Sequence, residues 1–413
     1  MPPLNRRAND PKLLDVNKSS RQNLFCQICR DDLFLIEPGT EQFDKYFPVW
    51  KPVLAFASCT VRSNTFMQLT ISPENPLEWL ALRANLAPIP LLHVQIMPVL
   101  AKAVLEAADK GVFEAVKEGR KTLDELTTTL HLNRKALGEL MGLLTAMGYF
   151  TYKNNQFSLT RMARRFTLKD DPFSVYGMMI FNNRVVWDWM NQLGNYLQTG
   201  EGIQYHDSLS TEQWQYYQEA MVAASSTEAR EFGRRAPVPK GATSMLDIGG
   251  SHGQHSAALC RKLPALTSTI LDLPPAIEQA APLLARQGMG NRITYRPGNA
   301  LTNDFGESAF DIVLLSSLAH HFTPEQNQLV TDKVARALRP GGVFIVNEFI
   351  RPELGAKPDL IGSSTDLFYG LSSTAGNYSV TEIQQWQQTA GLKAHKVISY
   401  RTMPGRVMVA AKK

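Results

Sequence analysis

An aspartate inside an apolar run, three closely spaced glycines and a second aspartate at the end of the next apolar run are the residues that announce a ligand site. The stretch is Ser244-Met-Leu-Asp-Ile-Gly-Gly-Ser-His-Gly-Gln-His-Ser256. Its apolar start, carrying Asp247, reads as a strand. Gly249, Gly250 and Gly253 read as a turn, and Ser256 to Lys262 as a helix. Strand, glycine turn and helix bring a ligand close to bare backbone at a helix N-terminus. Roughly 20 residues further on, Thr269-Ile-Leu-Asp-Leu-Pro274 ends in Asp272, where an acid accepts hydrogen bonds from a ribose diol. The glycine pattern is D-x-G-G-x-x-G, not the dinucleotide fingerprint G-x-G-x-x-G, and it suits a nucleoside ligand without a pyrophosphate.

The elements that must position these groups follow from periodicity. From Pro237 strands and helices alternate, with strands over 243–248, 268–273, 292–297, 310–316 and 343–348, the pattern of a doubly wound parallel sheet. Lys393 to Tyr400 and Arg406 to Ala411, joined by Thr402-Met-Pro-Gly405, read as a closing hairpin. Upstream, residues 93–118 carry a helix-type stripe at Val94, Met97, Leu100, Val104, Leu105, Ala108 and Val112. Thr122-Leu-Asp-Glu125 is a capping-box start and Asn133 caps a third helix that Gly148 ends. Tyr149 to Thr160 then turns at Asn154-Asn155 as a β-hairpin. Three helices and a hairpin make a winged helix. A DNA-reading third helix needs an exposed polar face. This one has Arg134 and Lys135 at its start and is apolar beyond, so it reads as a pairing module. Residues 167–235 are helical and rich in aromatic residues and methionine, a composition that suits an apolar wall for an aromatic ligand.

With 413 residues, 44% apolar and 20% charged, the chain has the composition of a globular protein of several domains, and a net charge of +5 does not by itself imply nucleic acid. Cys26, Cys29, Cys59 and Cys260 form no disulfide framework, and Cys26/Cys29 lack a second ligand pair for zinc. No apolar run reads as long enough to span a membrane, and a reducing cytoplasmic setting is expected. Residues 1–72 show no period, and Met1 to Phe66 reads as an upstream extension without function, ahead of a natural-looking start at Met67.

"LDIGGSHG", "LDLP", "PGNA", "LAHHF" and "ALRPGGVFIVNE" occur in this order. Together they resemble the S-adenosylmethionine-dependent O-methyltransferases of the plant caffeate/flavonoid and bacterial polyketide/hydroxyneurosporene type, over residues 75–413. The resemblance implies an α/β fold: a Rossmann-like seven-stranded methyltransferase domain (236–413) behind a winged-helix dimerisation domain (73–166) and a helical substrate segment (167–235). It implies a homodimer, S-adenosyl-L-methionine as cofactor, a hydroxylated small molecule as substrate, and no metal, nucleic acid or membrane.

Residue by residue, the resemblance matches Asp247, Gly249, Gly250, Gly253, Asp272, Leu273, Asn299, Ala300 and Ser316 to cofactor positions. Asn299 stands where the family has aspartate and Ser316 where it often has lysine. Leu318-Ala-His-His-Phe-Thr323 aligns with L-x-H-D-W-[ST], making His320 the catalytic base and Glu348 the acid that orients it. Histidine suits the work because a free imidazole titrates near neutrality. His321 takes the place of the family's aspartate and Asn377 that of a second acid. Trp187 or Trp189, Met190, Met221 and Phe368 are matched to the substrate wall. His252, His255 and His321 read as satisfied core or surface residues. A carbon methyltransferase, a hydroxylase binding the same cofactor and a DNA-binding regulator are the alternatives weighed.

Overall fold

The computed structural model describes residues 72–73, 75–373 and 375–413, all within the second of two compact units, Phe66–Lys413. The expectations for residues 1–66, with Cys26, Cys29 and Cys59, lie outside the described residues. Local chemistry sets the N-terminal elements. Thr122 Oγ1 accepts from Glu125 N while Glu125 returns a carboxylate oxygen to Thr122 N, starting the helix Leu123–Leu130. Asn133 Oδ1 accepts from Ala136 N at 3.1 Å and starts Arg134–Ala146. Strands β1 (Phe150–Lys153) and β2 (Gln156–Leu159) pair antiparallel across Asn154 and Asn155, whose φ values of 52° and 63° are those a two-residue I′ turn requires. Phe113, Leu126, Leu137, Met141, Leu144 and Phe150 form the buried centre of this part.

The single helix expected over 93–118 is instead an apolar helix from Ile89 to Asp109, interrupted by a π turn over Leu92–Ile96. Gly111, at φ 74°, separates it from the short Val112–Ala115. The π turn adds a residue and rotates the stripe: Val104, Ala108 and Val112 pack inward, while Val94 and Met97 are exposed. A second correction concerns length. Helix Ile89–Asp109 is long and apolar enough to cross a membrane by length and composition alone, because Leu, Ile, Val and Ala outweigh the interruptions at His93, Pro98 and Lys102. It is docked nonetheless: Lys102 Nζ donates to Asn183 Oδ1 at 2.6 Å, and Asp109 receives Arg184 Nη2 at 2.8 and 2.9 Å.

The remaining strands are β3 (Ser244–Ile248), β4 (Thr267–Asp272), β5 (Ile293–Pro297), β6 (Phe310–Ser316), β7 (Leu338–Phe349), β8 (Lys393–Ser399) and β9 (Arg406–Lys412). They form one seven-stranded sheet in the order β5-β4-β3-β6-β7-β9-β8. All pairs are parallel except those of β9, which runs antiparallel to both neighbours. Strand order reverses between β3 and β6, so a crevice opens beyond their C-terminal ends, the place where such sheets bind ligands. Both faces are covered, which is why the inner strands are near-continuously apolar. Leu246, Val313, Phe344 and Val409 pack on one face; Met245, Ile312, Ile345 and Met408 pack on the other, against Phe232 and Leu259. Helix Thr211–Arg235, started by the Ser210/Gln213 capping box, runs from the aromatic segment down to this second core.

Phe344→Ala is expected to cost about 3–5 kcal/mol, since the ring is 1% exposed and its cavity lies between strand and helices. Urea unfolding of wild type and variant measures the difference.

Candidate active site

The glycine turn after β3 is tight on all sides. Gly249 (φ 67°) and Gly253 (φ 69°) hold left-handed backbone, and a Cβ on Gly250 would stand 2.5 Å from Asp247 Cγ. Asp247 therefore lies directly beneath the turn, 1% exposed. Burial raises its pKa, and the 2.6 Å bond from Ser256 Oγ to Oδ2 offsets part of that. Its Oδ1 is a buried acceptor with no partner, which costs stability unless a ligand donates to it.

Asp272 at the tip of β4 closes the other side. Its Oδ2 accepts from Ser251 N at 2.9 Å and its Oδ1 from Leu273 N at 2.8 Å. Burial pushes the carboxyl up to about 6 against those two bonds. Ser251 is itself clamped: its Oγ donates to Gln218 Oε1, its carbonyl accepts from Tyr295 Oη at 2.8 Å, and its φ of 43° is unusual for a side-chain-bearing residue. Neither Gln218 nor Tyr295 was singled out from sequence. Asn299, exposed after β5, uses its Oδ1 to accept from Leu301 N at 2.8 Å. Ala300 is held from behind by Lys333 Nζ, which donates to its carbonyl. Leu273 is 43% exposed beside Asp272. Two acids with acceptor capacity, facing glycine backbone, fit a ligand that presents hydroxyl and amine groups.

The catalytic side begins where β6 ends. Ser317 has a φ of 53°, and the chain then folds Leu318 against Gly249, where a Cβ would meet Leu318 Cδ2 at 2.9 Å. His320 follows, 3% exposed, with Nδ1 3.2 Å from Glu348 Oε2; Glu348 Oε1 also accepts from Ala319 N at 2.9 Å. One carboxylate thus grips the imidazole and the backbone that carries it. A carboxylate only accepts, so Nδ1 carries the proton and Nε2 has the free lone pair.

Ser316 points into a buried polar network behind these residues. Arg406 Nη2 donates to Ser316 Oγ at 3.1 Å, Ser317 Oγ at 2.7 Å and Asn347 O at 3.2 Å. Arg406 Nε sits 2.7 Å from Glu228 Oε1, an ion pair without hydrogen-bond alignment. Burial raises the pKa of Glu228, but Arg406, His255 and Asn347 outweigh it and hold the carboxyl at about 2. His255 Nε2 meets Glu228 Oε1 at 3.0 Å, so it is a satisfied core residue as read from sequence. Buried His252 touches Ser225 Oγ at 3.4 Å, with its pKa lowered to about 3 by burial. Arg406 and Glu228 were missed; a lone arginine at a strand start carries no local signal.

An aromatic shell surrounds His320. Tyr369 lies 4.1 Å from it ring to ring, His321 4.2 Å, and His206 4.5 Å from His321. Trp189 stacks on Tyr205 at 4.7 Å, and Met221 and Phe368 pack in the same cluster. Trp187 instead lies under Lys102 Nζ at 5.1 Å, and Met190 is 43% exposed. A π turn over Asn182–Val186 precedes both tryptophans and shifts their helical phase, so Trp189 joins the cluster and Trp187 faces the N-terminal helices. Asn377 donates to Thr365 Oγ1 at 3.2 Å and has no bond to His320. Among the described residues no group of three metal-ligating side chains is assembled.

Solved methyltransferase structures share this fold. Human N-acetylserotonin methyltransferase, in complex with S-adenosylmethionine, superposes with a TM-score of 0.68 at 15% identity, covering 84% of this chain and 99% of that one. The mitomycin 7-O-methyltransferase MmcR gives 0.67 at 22% identity, covering 82% and 100%. The mitomycin biosynthesis 6-O-methyltransferase of Streptomyces lavendulae is 25% identical over 323 residues, 75% of this chain and 90% of that protein. Residues 184–392 match the O-methyltransferase domain family, and the chain belongs to it. It is an enzyme, and membership favours oxygen methylation over the carbon-methylation, hydroxylation and DNA-binding alternatives.

With a carboxyl near 6 in the free protein, only ionised Asp272 accepts fully from a ribose diol. Affinity for S-adenosylhomocysteine is therefore expected to be constant above pH 7 and to fall as pH drops through 6, about tenfold between pH 7 and pH 5. Asp272→Asn is expected to weaken binding at pH 7 by at least about tenfold and to flatten this profile. Titration calorimetry across the pH range reads both effects.

Proposed function

We propose that this protein methylates a hydroxyl of an aromatic or polyketide-like small molecule, with S-adenosyl-L-methionine as donor and His320 as general base. The observation that carries this reading is the buried His320–Glu348 pair at the mouth of the glycine turn, under an aromatic shell. The substrate hydroxyl donates its proton to His320 Nε2 as its oxygen attacks. Glu348 Oε2, on Nδ1–H, steadies the imidazolium that forms. The donor supplies, when bound, a methyl on a cationic sulfonium, so the reaction needs alignment, deprotonation and a dry site. Asp247, Asp272, Leu273 and the backbone of Gly249 to Ser251 hold the donor. Leu318 sets the distance between turn and base through its contact with Gly249.

The protein works as a homodimer joined through residues 76–166. An unpartnered apolar surface supports this. Leu77 and Val94 are 78% and 73% exposed, with Trp79, Leu80, Leu91 and Val99 all more than half exposed nearby in sequence. DNA is not the partner: helix Arg134–Ala146 buries Leu137, Met141 and Leu144, and its basic start is answered by Asp124 and Glu139. A cytoplasmic setting accords with the free buried thiol of Cys260.

His320→Ala is expected to lower turnover by about 10²–10⁴-fold with cofactor affinity retained, and the deficit should shrink as rising pH ionises the substrate hydroxyl unaided. Glu348→Gln, which keeps shape and hydrogen bonding but removes charge, is expected to cost less. PH–rate profiles of both variants on one accepted substrate test the assignment; full activity in His320→Ala excludes it as base. Sedimentation is expected to show a dimer at micromolar concentration, and Leu77→Asp with Val94→Asp to shift it towards monomer.

A further inference from the structure

Between helix Leu193–Thr199 and helix Thr211–Arg235 the chain crosses the end of helix Leu360–Ser372 as a narrow strap. Ile203 N donates to Leu371 O at 2.8 Å. A Cβ on Gly202 would stand 2.0 Å from Ser373 O and 2.6 Å from Gly370 O, so backbone lies on backbone there. Gln204 then turns with a φ of 52° and delivers Tyr205 and His206 to the catalytic pair. His206 stacks on Trp214 at 5.3 Å and meets His321 at 4.5 Å; Tyr205 lies 5.6 Å from His321 and bonds Tyr217 Oη at 3.3 Å. Three imidazoles thus form a row, and only His320 has a carboxylate partner. Among the described residues, the ring nitrogens of His206 and His321 and the hydroxyl of Tyr369 make no hydrogen bond. The cation–ring contacts of the described residues fall on other rings, and Arg406 is committed to Glu228 and the serines.

Such a site offers flat surfaces and several vacant hydrogen-bonding ring atoms, but no counter-charge. Adjacent residues place the rings of His320 and His321 4.2 Å apart, centre to centre. Oxygens bonded to the two therefore belong on neighbouring carbons of one ring. We propose that the substrate is an uncharged, flat aromatic carrying a second oxygen beside the hydroxyl that is methylated, of the catechol or hydroxyquinone class, and that His321 and His206 hold that second oxygen. This rests on the O-methyltransferase reading of the same site. Burial first, and the neighbouring imidazoles next, keep both rings neutral: His206 is lowered to about 4 and His321 well below its ordinary value. A neutral imidazole has one N–H and one lone pair, so it serves a hydroxyl or a carbonyl oxygen equally. A carboxylate on the substrate would lose its water with nothing to answer it.

The test uses the full chain, S-adenosylmethionine and three probes on one frame: a naphthalenediol with adjacent hydroxyls, the corresponding naphthol, and a hydroxynaphthoate with the carboxylate beside the hydroxyl. Products are identified by mass spectrometry and counted against S-adenosylhomocysteine released. Wild type is expected to favour the diol over the naphthol in kcat/KM by at least about tenfold, since a site built to bond an oxygen rejects the analogue lacking it, and to leave the naphthoate unreacted. His206→Phe, which keeps a ring against Trp214, is expected to bring the diol-to-naphthol ratio within about threefold, and His321→Asn to reduce it. Retained S-adenosylhomocysteine affinity shows that each variant is folded. Equal rates on diol and naphthol, efficient turnover of the naphthoate, no transfer to the diol, or a ratio that survives both substitutions overturns the inference. Methyl found on ring carbon in place of oxygen overturns the O-methyltransferase reading instead.

Discussion

A guanidinium buried beneath the sheet's C-terminal edge must be answered from every side, and Arg406 is answered by four separate elements. Glu228 comes from the long helix, Ser316 and Ser317 from the end of β6, and Asn347 from β7. Removing a single partner from such a set leaves a desolvated charge, a loss of several kcal/mol in general. The arrangement therefore constrains where the last strand, the long helix and the turn before His320 stand relative to one another. Because Ser317 is held in a left-handed conformation within this set, the position of the base is coupled to residues far from the chemistry.

Around that anchor, four carboxylates meet opposite fates. Glu228 and Glu231 are held near 2 by cationic and backbone partners that outweigh burial. Asp247 and Asp272 lack a cation, and burial raises both. The first pair is satisfied by the protein and works as structure. The second is left short of donors at the sheet's switch point, where a ligand completes it. The same contrast separates the histidines: His255 is spent on Glu228, while His320 has Glu348 on one nitrogen and an open lone pair on the other.

The substrate side is built by segments with little regular structure of their own. A strap pinned by Gly202 and Ile203, a π-turned helix and the end of helix Leu360–Ser372 converge on His320. Rings, not charges, do the lining. The N-terminal helices complete a division of labour: one face packs on a local core and the other leaves large apolar side chains open to a second surface.

The sequence by itself determined whatever depends on neighbours along the chain. The strand–glycine–helix unit at Asp247 to Lys262, the acid ending β4, the Thr122 and Asn133 caps and the Asn154-Asn155 turn are local, and their φ values and bonds are those their residue types demand. The mixed sheet, with β9 as its antiparallel strand, followed from the alternation and the closing hairpin. Resemblance added His320 and Glu348, which the fold brings to 3.2 Å. Only the tertiary structure decided the rest. Two π turns changed which side chains face inward, moving Val94 and Met97 to the surface and putting Trp189 in the place open to Trp187, because one inserted residue rotates every later position. Arg406, Glu228, Tyr295, Tyr205 and His206 owe their roles to partners distant in sequence. A residue's type gives its charge and its bonding groups; which of them remain free for a ligand is set by packing.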